Sequence, residues 1–578
     1  MLLREDATEE RLAGRYFTPI NLADYIVEWT TRDRNINKIL EPSCGDGIFL
    51  ECLGNRNLEE RCNITAIEID EEASLLASNR IDGSVRFDSY NDFIENQAIA
   101  LTENRNLDND NGCYIINDDF YSVYENRLRE QSFQAIVGNP PYIRYQYLSE
   151  SQKEEQSQIL IRNQMRSNKL INAWVSFVVA CVQMLDENGR LGLVIPAELL
   201  QVAYAEDLRR FLMRSLQRIT IVTFRELVFP DVEQEVVLLL AEKDVTHNDE
   251  HQLRIVEYQN IDELVEYNNL NEYEFYDIEI NESKWTKYFL TANDSRLIDH
   301  IRRDERFIKF SDVARIEVGI TTGNNDYFCI NREMVDRYQL ENVCRPLIAR
   351  SVNINGVVFT QEDWQGNIDI GAKTYLIDFP SIPYDYYPEL HKEYIEYGEK
   401  NEQNRGYKCR IRDRWYRIPS IWVPDAFFLR RNHLYPKFML NSEEVNAVST
   451  DTMHRVRFIV PENRKRVLLS YYNSIALAFT EIEGRSYGGG VLEILPKEAG
   501  RIIMPDLSSR ELIDDNTVNE LVNIIDNYVR QNNNDILGIL DEIDERVLVQ
   551  IMGLDRELVL AFRHMWITLR ERRLGRGR

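Results

Sequence analysis

The stretch Phe133–Tyr145 reads FQAIVGNPPYIRY, and it decides the expected fold of the first part of the chain. Its first half, Phe133–Val137, is an apolar run with the residue types of a buried β-strand, and the run ends abruptly at Gly138. Two prolines follow, and because proline has a fixed φ and no N–H group, Asn139–Tyr142 is expected to form a rigid turn. The sequence therefore predicts a strand whose carboxyl end presents polar atoms in a fixed arrangement.

The predicted turn offers two hydrogen-bond acceptors and one aromatic face. The side-chain amide of Asn139 and the carbonyl group of Pro140 are expected to point outward, beside the ring of Tyr142. This set suits a flat base with an exocyclic amine, because the acceptors can hold the NH2 group while the base stacks on the ring. A proline-stiffened loop after a buried strand would have the same sequence, so the neighbouring turns have to decide between the two interpretations.

Three further strand-like runs also end in turns with polar residues. The first, Lys38–Leu40, continues into Glu41, Pro42, Ser43, Cys44 and Gly45. A glycine-bearing turn between a strand and a helix lets the backbone approach a ligand closely. The second strand places Glu68 near its end, and the third is followed by Asp119 and Phe120. A dinucleotide-binding loop would also use a glycine turn and a later acid, but the third glycine of that fingerprint is missing.

Strand and helix patterns alternate through the first 245 residues. Additional strands are predicted at residues 190–195, 219–224 and 236–241, and helices at residues 173–185 and 204–213. The predicted fold class is α/β, a mostly parallel seven-stranded Rossmann-like sheet with helices on both faces. Ligands of such sheets lie beyond the carboxyl ends of the strands, and all four turns fall on that edge.

The order of these motifs resembles the γ-class, Taq-type DNA adenine-N6 methyltransferases of type II restriction-modification systems. The resemblance covers about residues 14–243 and rests on Phe-Thr-Pro, Glu-Pro-Ser-Cys-Gly-Asp-Gly, Ile-Glu-Ile-Asp, Asp-Asp-Phe and Asn-Pro-Pro-Tyr. It implies that S-adenosylmethionine is the cofactor and is bound by Thr18, Glu41, Pro42, Ser43, Cys44, Gly45, Glu68, Asp119, Phe120 and Pro141. It also implies that Asn139 and Pro140 hold the target amine, that Tyr142 stacks on the extruded base, and that Phe229 forms a second wall.

The composition changes after the predicted catalytic domain, residues 1–245. Residues 246–305 are acidic and rich in Asn and Tyr, which indicates a connecting segment or an edge structure. Residues 306–505 are strand-like and irregular, and parts of them resemble the target-recognition regions of larger family members. A mixed α+β DNA target-recognition domain is therefore expected there, followed by a helical region at residues 506–578.

The net charge of −28 opposes binding to phosphates, but the charge is unevenly distributed. Between Asn404 and Lys437 nine residues are basic and two are acidic. Arginines interleaved with aromatic residues suit phosphate and base contacts, so this segment is predicted to contact DNA through Arg405, Lys408, Arg410, Arg412, Arg414, Arg417, Arg430 and Arg431. The acidic, lysine-poor remainder is also typical of adaptation to a salty cytoplasm.

Several classes of protein are disfavoured by composition. The chain has no apolar run of membrane-spanning length and begins with a charged segment, so a cytoplasmic location is expected. Its eight cysteines form no CxxC pair and its seven histidines have no ligand spacing, which predicts free thiols and no bound metal. Duplex DNA is the expected partner, and the resemblance implies a cognate restriction endonuclease acting separately.

Three alternatives remain open from the sequence. An RNA base or a protein glutamine is a possible substrate, because those enzymes share the Asn-Pro-Pro-Tyr motif over their catalytic half. A DNA-binding specificity subunit with an inactive methyltransferase fold is another, although the intact turns at Glu41 and Asn139 argue against it. Transfer to cytosine N4 is the third, and here the resemblance associates serine at the position of Asn139 with cytosine, which favours adenine.

Overall fold

The computed structural model describes residues 18–32, 36–229, 235–244, 251–277, 284–487, 489–532 and 535–575. Phe17 of the expected Phe-Thr-Pro turn lies outside these ranges. The chain divides into two compact units, Met1–Phe289 and Leu290–Arg578. Within the described ranges every helix is too short or too polar to cross a lipid bilayer. All eight cysteines are free thiols.

The first unit is built on one large sheet whose strands run through most of its length. They are β1 (Lys38–Glu41), β2 (Asn63–Ile67), β3 (Val85–Phe87), β4 (Gly112–Ile116), β5 (Phe133–Gly138), β6 (Leu185–Pro196), β7 (Arg218–Phe224), β8 (Val236–Glu242), β9 (Gln252–Tyr258) and β10 (Tyr276–Asp277). Between them lie the helices α1 (Ile20–Thr31), α2 (Ile48–Gly54), α3 (Glu71–Ser78), α4 (Tyr90–Thr102), α5 (Phe120–Asn126), α6 (Glu150–Arg162), α7 (Ala173–Met184), α8 (Glu206–Ser215) and α9 (Ile261–Tyr267).

The strand order across the sheet is β10-β9-β7-β8-β6-β5-β1-β2-β4-β3. Among the described strands, six neighbouring pairs are parallel and three are antiparallel. Strands β1, β2, β4 and β5 are mutually parallel neighbours in the middle and one side of the sheet, so their carboxyl ends meet at one edge. The α/β class and the mostly parallel sheet are confirmed.

All seven predicted strands are present, but the sheet has ten, so the expected count is too low. The short strand β3 extends one edge, and β9 and β10 extend the other. Residues 252–258 read QLRIVEY, and Leu253, Arg254, Val256 and Tyr258 are buried, with Leu253 in one core and Val256 and Tyr258 in the other. Both faces of this strand are covered, so it lacks the period-2 pattern of a half-buried strand, and its Arg254 and Glu257 give it a polar sequence.

Two hydrophobic cores cover the two faces of the sheet. Neighbouring strand residues point to opposite faces, so Leu40 and Ile136 belong to one core whereas Ile39 and Ala135 belong to the other. Helix α7 lies in the first core and α1 in the second. Eleven of the twelve residues of α7 are buried, which is the pattern of a helix that is apolar on all sides.

The second unit is a mixed α and β structure with several small sheets. Its strands are β11 (Phe307–Lys309), β12 (Ala314–Val318), β13 (Cys329–Ile330), β14 (Cys344–Ile348), β15 (Val358–Phe359), β16 (Tyr375–Ile377), β17 (Ala426–Leu429), β18 (Arg431–Asn432), β19 (Phe438–Asn441), β20 (Val448–Ser449), β21 (Met453–Phe458), β22 (Arg485–Tyr487), β23 (Val491–Glu493) and β24 (Ile503–Pro505). The largest sheet has the order β12-β21-β17-β19-β15, and a second one has the order β13-β16-β14-β20.

Helices fill the rest of the second unit and dominate its C-terminal part. They are α10 (Ala292–Arg303), α11 (Phe310–Val313), α12 (Asn325–Phe328), α13 (Arg332–Tyr338), α14 (Gln361–Asp369), α15 (Glu389–Lys400), α16 (Tyr407–Arg410), α17 (Arg464–Tyr471), α18 (Ser474–Glu483), α19 (Pro496–Gly500), α20 (Asp515–Gln531), α21 (Leu537–Ile543) and α22 (Arg556–Gly575). A π-helical segment, Asp544–Ile551, connects α21 to the turn before α22.

Two glycines of the first unit separate the effect of backbone conformation from that of close packing. Gly47 has φ +87°, and a Cβ there would lie 2.7 Å from the Cα of Ala77, whereas Gly83 has φ +68° and open space around it. We expect Gly83→Ala to destabilise the unit by about 1 kcal/mol through left-handed strain. Gly47→Ala should lower the free energy of unfolding by an additional ~1–3 kcal/mol, because the new Cβ meets the backbone of α3, which cannot move aside without strain. Urea unfolding of both variants tests this, and equal losses would contradict it.

Candidate active site

A cavity of about 330 Å³ opens at the carboxyl ends of the central parallel strands. Its volume lies within the range of roughly 300–1,000 Å³ that is usual for small-ligand sites. All ten residues predicted to bind a cofactor line it, together with the catalytic candidate Asn139: Thr18, Glu41, Pro42, Ser43, Cys44, Gly45, Glu68, Asp119, Phe120 and Pro141. The four turns singled out in the sequence therefore converge on one space, as the topology of a parallel sheet requires.

The wall of the cavity is strongly acidic. Among the described residues that line it, seven are carboxylates and none is basic: Glu41, Asp46, Glu68, Asp70, Glu72, Asp118 and Asp119. Arg80, outside the cavity, pairs with Asp46 at 2.7 Å and neutralises one of them. Within the described residues, no three such side chains are placed to bind a single metal ion. The remaining negative charge favours an organic cation and opposes a phosphate or pyrophosphate group.

Glu41, at the end of β1, is the most unusual of these acids. Its side chain is fully buried, and neither carboxylate oxygen has a hydrogen-bond partner among the described residues. Burial, and then the neighbouring carboxylates of Glu68 and Asp46, raise the pKa of Glu41 well above its ordinary value. A buried acceptor without a partner costs stability, so the site is built to receive a donor, preferably a positively charged one.

Glu68 fixes the shape of the glycine turn. One oxygen of its carboxylate accepts from the backbone N–H of Gly45 at 2.9 Å, and the other accepts from the N–H of Asp70 at 2.9 Å. The side chain is 7% exposed, and the N–H of Cys44 donates to the carbonyl of Ile67 at 2.8 Å. The ends of β1 and β2 are therefore joined, and the turn is held open toward the cavity.

Asp119 and Phe120 lie at the start of α5. One oxygen of Asp119 accepts from the N–H groups of Tyr121 and Ser122, which caps the helix. The other accepts from the side-chain amide of Gln152 at 2.6 Å. The ring of Phe120 stacks on that of Phe177 with centroids 4.4 Å apart, so this end of the cavity has flat apolar walls.

The Asn139–Tyr142 turn follows β5 at the same edge. The side-chain N–H of Asn139 donates to the hydroxyl of Thr18 at 3.2 Å, and its backbone carbonyl accepts from the hydroxyl of Ser43 at 3.3 Å. The hydroxyl of Tyr142 lies 2.7 Å from the side-chain oxygen of Asn139 and 3.1 Å from the carbonyl oxygen of Val194. The turn is thus tied to two other residues of the cavity wall and to strand β6.

The remaining base-side candidates lie next to the cavity rather than in its wall. Pro140 is buried, and its carbonyl accepts no hydrogen bond from the residues that the structure describes. The ring of Tyr142 is half-buried and packs against both hydrophobic cores. Phe229 is buried in the second core, and its role as a second wall stays a prediction. The following residues, 230–234, lie outside the described ranges.

The predicted DNA-contacting residues of the second unit fall into two groups. Arg405, Lys408, Arg410 and Arg431 are exposed. The others are half-buried: Arg412 donates to the carbonyl of Thr321 at 3.1 Å, and Arg417 donates to the hydroxyl of Ser381 at 2.9 Å. Arg414 donates to the carbonyl of Ile382, and Arg430 to the carboxylate of Glu493 at 3.0 Å.

A cleft of about 650 Å³ in the second unit brings together two segments that are distant in the sequence. Gly319, Ile320 and Thr321 form one part of its lining. The basic part comprises Lys408, Arg412, Arg414, Arg417 and Arg455. Arg455 and Arg457 lie over the ring of Trp422 at 4.5 and 4.3 Å from its centroid. The cleft suits an anionic ligand, unlike the cavity of the first unit.

Sequence reasoning missed several residues of the first cavity. Gln152 lies in the first turn of α6 and forms a capping box with Ser149, a signal that locates the helix but not its position beside the cavity. Phe177 lies in the apolar run of α7, where nothing distinguishes it from core residues. Ile143 and Leu148 follow the proline turn and also line the cavity. These residues come from the segment after β5, whose path the motifs did not indicate.

Two family models match the chain. The Eco57I restriction-modification methylase model matches residues 62–229, and the model of the C-terminal domain of type II methyltransferase M.Eco57I matches residues 282–548. The chain is related to the type II restriction-modification methyltransferases. It is similar to type II methyltransferase M.AccI of Acinetobacter calcoaceticus, with 24% identity over 555 residues and 92% of each chain covered.

Other relatives agree with this relationship. Type II methyltransferase M.HindII of Haemophilus influenzae is 24% identical over 406 residues, covering 68% of this chain and 69% of the relative. The type IIL restriction-modification enzyme MmeI, solved in complex with DNA, shares the fold with a TM-score of 0.57 at 12% identity, covering 96% of this chain and 75% of that one. A tRNA1(Val) (adenine(37)-N6)-methyltransferase of Haemophilus influenzae is 26% identical over 165 residues, which is 28% of this chain and 56% of the relative.

The unpartnered carboxylate of Glu41 can be tested by Glu41→Gln. Because the folded-state pKa of Glu41 is raised, its carboxyl group binds a proton more tightly in the native state than in the unfolded state. The free energy of unfolding therefore increases as the pH falls from the folded-state pKa toward the ordinary carboxyl pKa. The neutral amide should remove that pH dependence without lowering stability at neutral pH. Affinity for S-adenosylmethionine should fall by about 10- to 100-fold, as for a lost charge-assisted hydrogen bond.

Calorimetric titration and thermal unfolding between pH 4 and 8, roughly the range where such carboxyl groups titrate, measure both effects. Asp46→Asn is the matched control, since it removes one negative charge from the same wall but that charge is already paired with Arg80. Binding by Glu41→Gln that is as tight as binding by the wild type would show that the buried carboxylate does not contact the ligand.

Proposed function

We propose that the chain is an S-adenosylmethionine-dependent DNA methyltransferase that methylates N6 of an adenine in duplex DNA and so protects its site from a cognate restriction endonuclease. The observation that supports this most is the adjacency of two sites. Asn139 and Pro141 of the proline turn line the same acidic cavity as Glu41 and Glu68. An amine-binding turn and a site for an organic cation thus meet at one sheet edge, within the first unit.

The residues present fit S-adenosylmethionine better than a dinucleotide. When bound, this cofactor supplies a methyl group from a positively charged sulfonium. The unpartnered oxygens of Glu41 suit the cationic methionine part, and Glu68 can accept from ribose hydroxyls. Phe120 and Pro141 provide apolar faces for the adenine ring, and the absence of basic side chains among the described lining residues disfavours a pyrophosphate.

The proline turn addresses the main chemical difficulty of the reaction. The lone pair of an exocyclic amine is delocalised into the ring, which makes the nitrogen a poor nucleophile. Hydrogen bonds from the two N–H groups to the side-chain oxygen of Asn139 and the carbonyl oxygen of Pro140 favour a tetrahedral nitrogen with a localised lone pair. These bonds strengthen as charge develops on the nitrogen, so they act on the rate rather than on binding alone.

The contacts of Asn139 support this role. Its N–H donates to Thr18, so its oxygen is directed to the opposite side, where it accepts from Tyr142 and can accept from an entering amine. Pro140 contributes a carbonyl with no partner among the described residues. The target base has to leave the duplex to reach these groups, and stacking on an aromatic ring offsets part of the few kcal/mol that unpairing costs.

RNA or protein glutamine as the substrate is less well supported. The tRNA-modifying relative matches only 28% of this chain, whereas the C-terminal family model of a type II methyltransferase matches residues 282–548. The likeness thus extends through the second unit, where the basic cleft lies. An inactive binding subunit would not need an acid-lined cavity with an unpartnered carboxylate.

Asn139→Ala should lower kcat by at least about 10²- to 10³-fold, because it removes one of the two acceptors for the amine. Affinity for duplex DNA should change little. Transfer of a labelled methyl group from S-adenosylmethionine to duplex DNA, followed by mass spectrometry of the released nucleosides, measures both the rate and the modified base. The expected product is N6-methyladenine.

Tyr142→Phe serves as the matched control, because it keeps the ring but removes the hydroxyl that lies 2.7 Å from the Asn139 oxygen. A moderate loss, smaller than that of Asn139→Ala, is expected, since the side-chain amide is still oriented by Thr18 and the backbone carbonyl of Asn139 is still held by Ser43. Full turnover by Asn139→Ala, or N4-methylcytosine as the product, would overturn the proposal. Labelling of RNA or protein in preference to DNA would do the same.

DNA binding by the second unit can be tested at its exposed basic residues. Replacing Lys408 and Arg410 by alanine should weaken binding to duplexes of any sequence and reduce the slope of log K against log salt by about 1–2. Arg405→Ala should have less effect, because Arg405 is already paired with Glu402 at 2.6 Å. Fluorescence anisotropy at several salt concentrations gives the slopes. Unchanged slopes in the double variant would show that these side chains do not contact phosphates.

A further inference from the structure

Gln152 occupies an unusual position at the start of α6. It is the third helical residue of a capping box, in which its side-chain oxygen accepts from the backbone N–H of Ser149 at 3.0 Å. Its side-chain N–H group donates to Asp119 at 2.6 Å, and both residues line the acidic cavity. The two bonds fix the orientation of the amide, because exchanging its oxygen and nitrogen would lose both.

This arrangement leaves one donor and one acceptor side by side. The amide nitrogen of Gln152 has two N–H groups and uses one of them toward Asp119. The oxygen of Asp119 that receives it can accept a second bond, since the other oxygen serves the N–H groups of Tyr121 and Ser122. An acceptor beside a fixed donor complements the edge of adenine, where an exocyclic amine lies next to an unprotonated ring nitrogen.

The walls around this pair suit a planar ring. Phe120 and Phe177 stack on one another at the same end of the cavity, and Leu148, in the turn before α6, lines it as well. Leu148 is 5% exposed, so the segment that carries Gln152 is packed down rather than extended into solvent. A purine lying against these walls can direct its polar edge at the pair formed by Gln152 and Asp119.

We propose that Gln152, together with Asp119, recognises the adenine edge of S-adenosylmethionine, and that Gln152 donates to a ring nitrogen next to the exocyclic amine. The inference rests on the proposed function and adds a residue that determines cofactor specificity. Asp119 accepts from the amine, and Gln152 supplies the donor and holds Asp119 in place. The residue acts on binding of the cofactor, so it does not need to touch the target base.

Binding of S-adenosylhomocysteine to the full chain tests this without catalysis. Isothermal titration is carried out with the adenosyl compound and two analogues, one with hypoxanthine, in which N1 is protonated, and one with 7-deazaadenine, in which a C–H replaces N7. The wild type should bind the adenosyl compound most tightly. Gln152→Ala should weaken that binding by about five- to tenfold, as for one hydrogen bond. It should also reduce the ratio of affinities between the adenosyl compound and one of the two analogues.

Gln152→Glu separates recognition from helix capping. A glutamate at this position keeps the capping box with Ser149 but replaces the N–H donor by an acceptor facing Asp119. It should still fold, although it should melt below the wild type because the new carboxylate repels that of Asp119, and it should lose the preference for the adenosyl compound. Gln158→Ala is the matched control, because Gln158 lies on the same helix, is exposed, and donates from its side chain to Glu154 at 2.8 Å.

The outcomes are distinct. The inference is supported if both Gln152 variants discriminate less between the adenosyl compound and an analogue than the wild type does, while Gln158→Ala discriminates as the wild type does. Equal weakening of all three ligands would show that Gln152 only supports the helix, and wild-type binding by both variants would show that it makes no contact; either result overturns the inference. Failure of the wild type to bind S-adenosylhomocysteine would instead overturn the proposed function.

Discussion

Uncompensated negative charge around one cavity is the constraint on which the first unit depends. Carboxylates at the ends of neighbouring parallel strands repel one another, and Glu41 lies among them with both oxygens unpaired. Such a carboxylate lowers the stability of the protein when the cavity is empty. The protein regains that stability when a cation or a proton binds to the carboxylate. Affinity for a cationic cofactor is thus stored in the fold itself. The same charge opposes the binding of phosphate-bearing ligands. Sites for those ligands also use a strand-turn-helix arrangement, but they need a positive potential.

Transfer between two bound molecules also requires fixed relative positions. Glu68 joins the ends of β1 and β2 through the N–H groups of Gly45 and Asp70. Ser43 and Thr18 then connect this wall of the cavity to Asn139. The turn after β1 and the turn after β5 are therefore parts of one hydrogen-bonded assembly. Pre-set geometry of this kind can contribute several kcal/mol to a two-substrate reaction, because little orientational freedom is left to lose.

The sequence predicted well which turns line the cavity, and the physical reason is general. Parallel strands bring their carboxyl ends together, so polar turns that follow them have to meet. Gln152 and Phe177 could not be found this way, because they reach the cavity from helices α6 and α7 through tertiary packing. Strand β9 could not be located within the segment read as a connection or an edge structure, because both of its faces are covered and its buried Arg254 interrupts the apolar residues. Phe229 was predicted by resemblance alone, and the structure places it in a core.

The second unit shows why a basic sequence segment is not equivalent to a basic surface. Arg412 and Arg417 use their guanidinium groups to bind Thr321 and Ser381, so they hold loops together while lining the cleft. Burial lowers the pKa of Arg412, which reflects desolvation of a charge that the fold retains. In a chain of net charge −28, the proposed DNA binding then depends on a few exposed cations beside such structural ones. The acidic remainder repels phosphates over about a Debye length. Added salt therefore weakens both the local attraction and the general repulsion. The affinity for DNA should then fall less steeply with salt than the number of phosphate contacts alone implies.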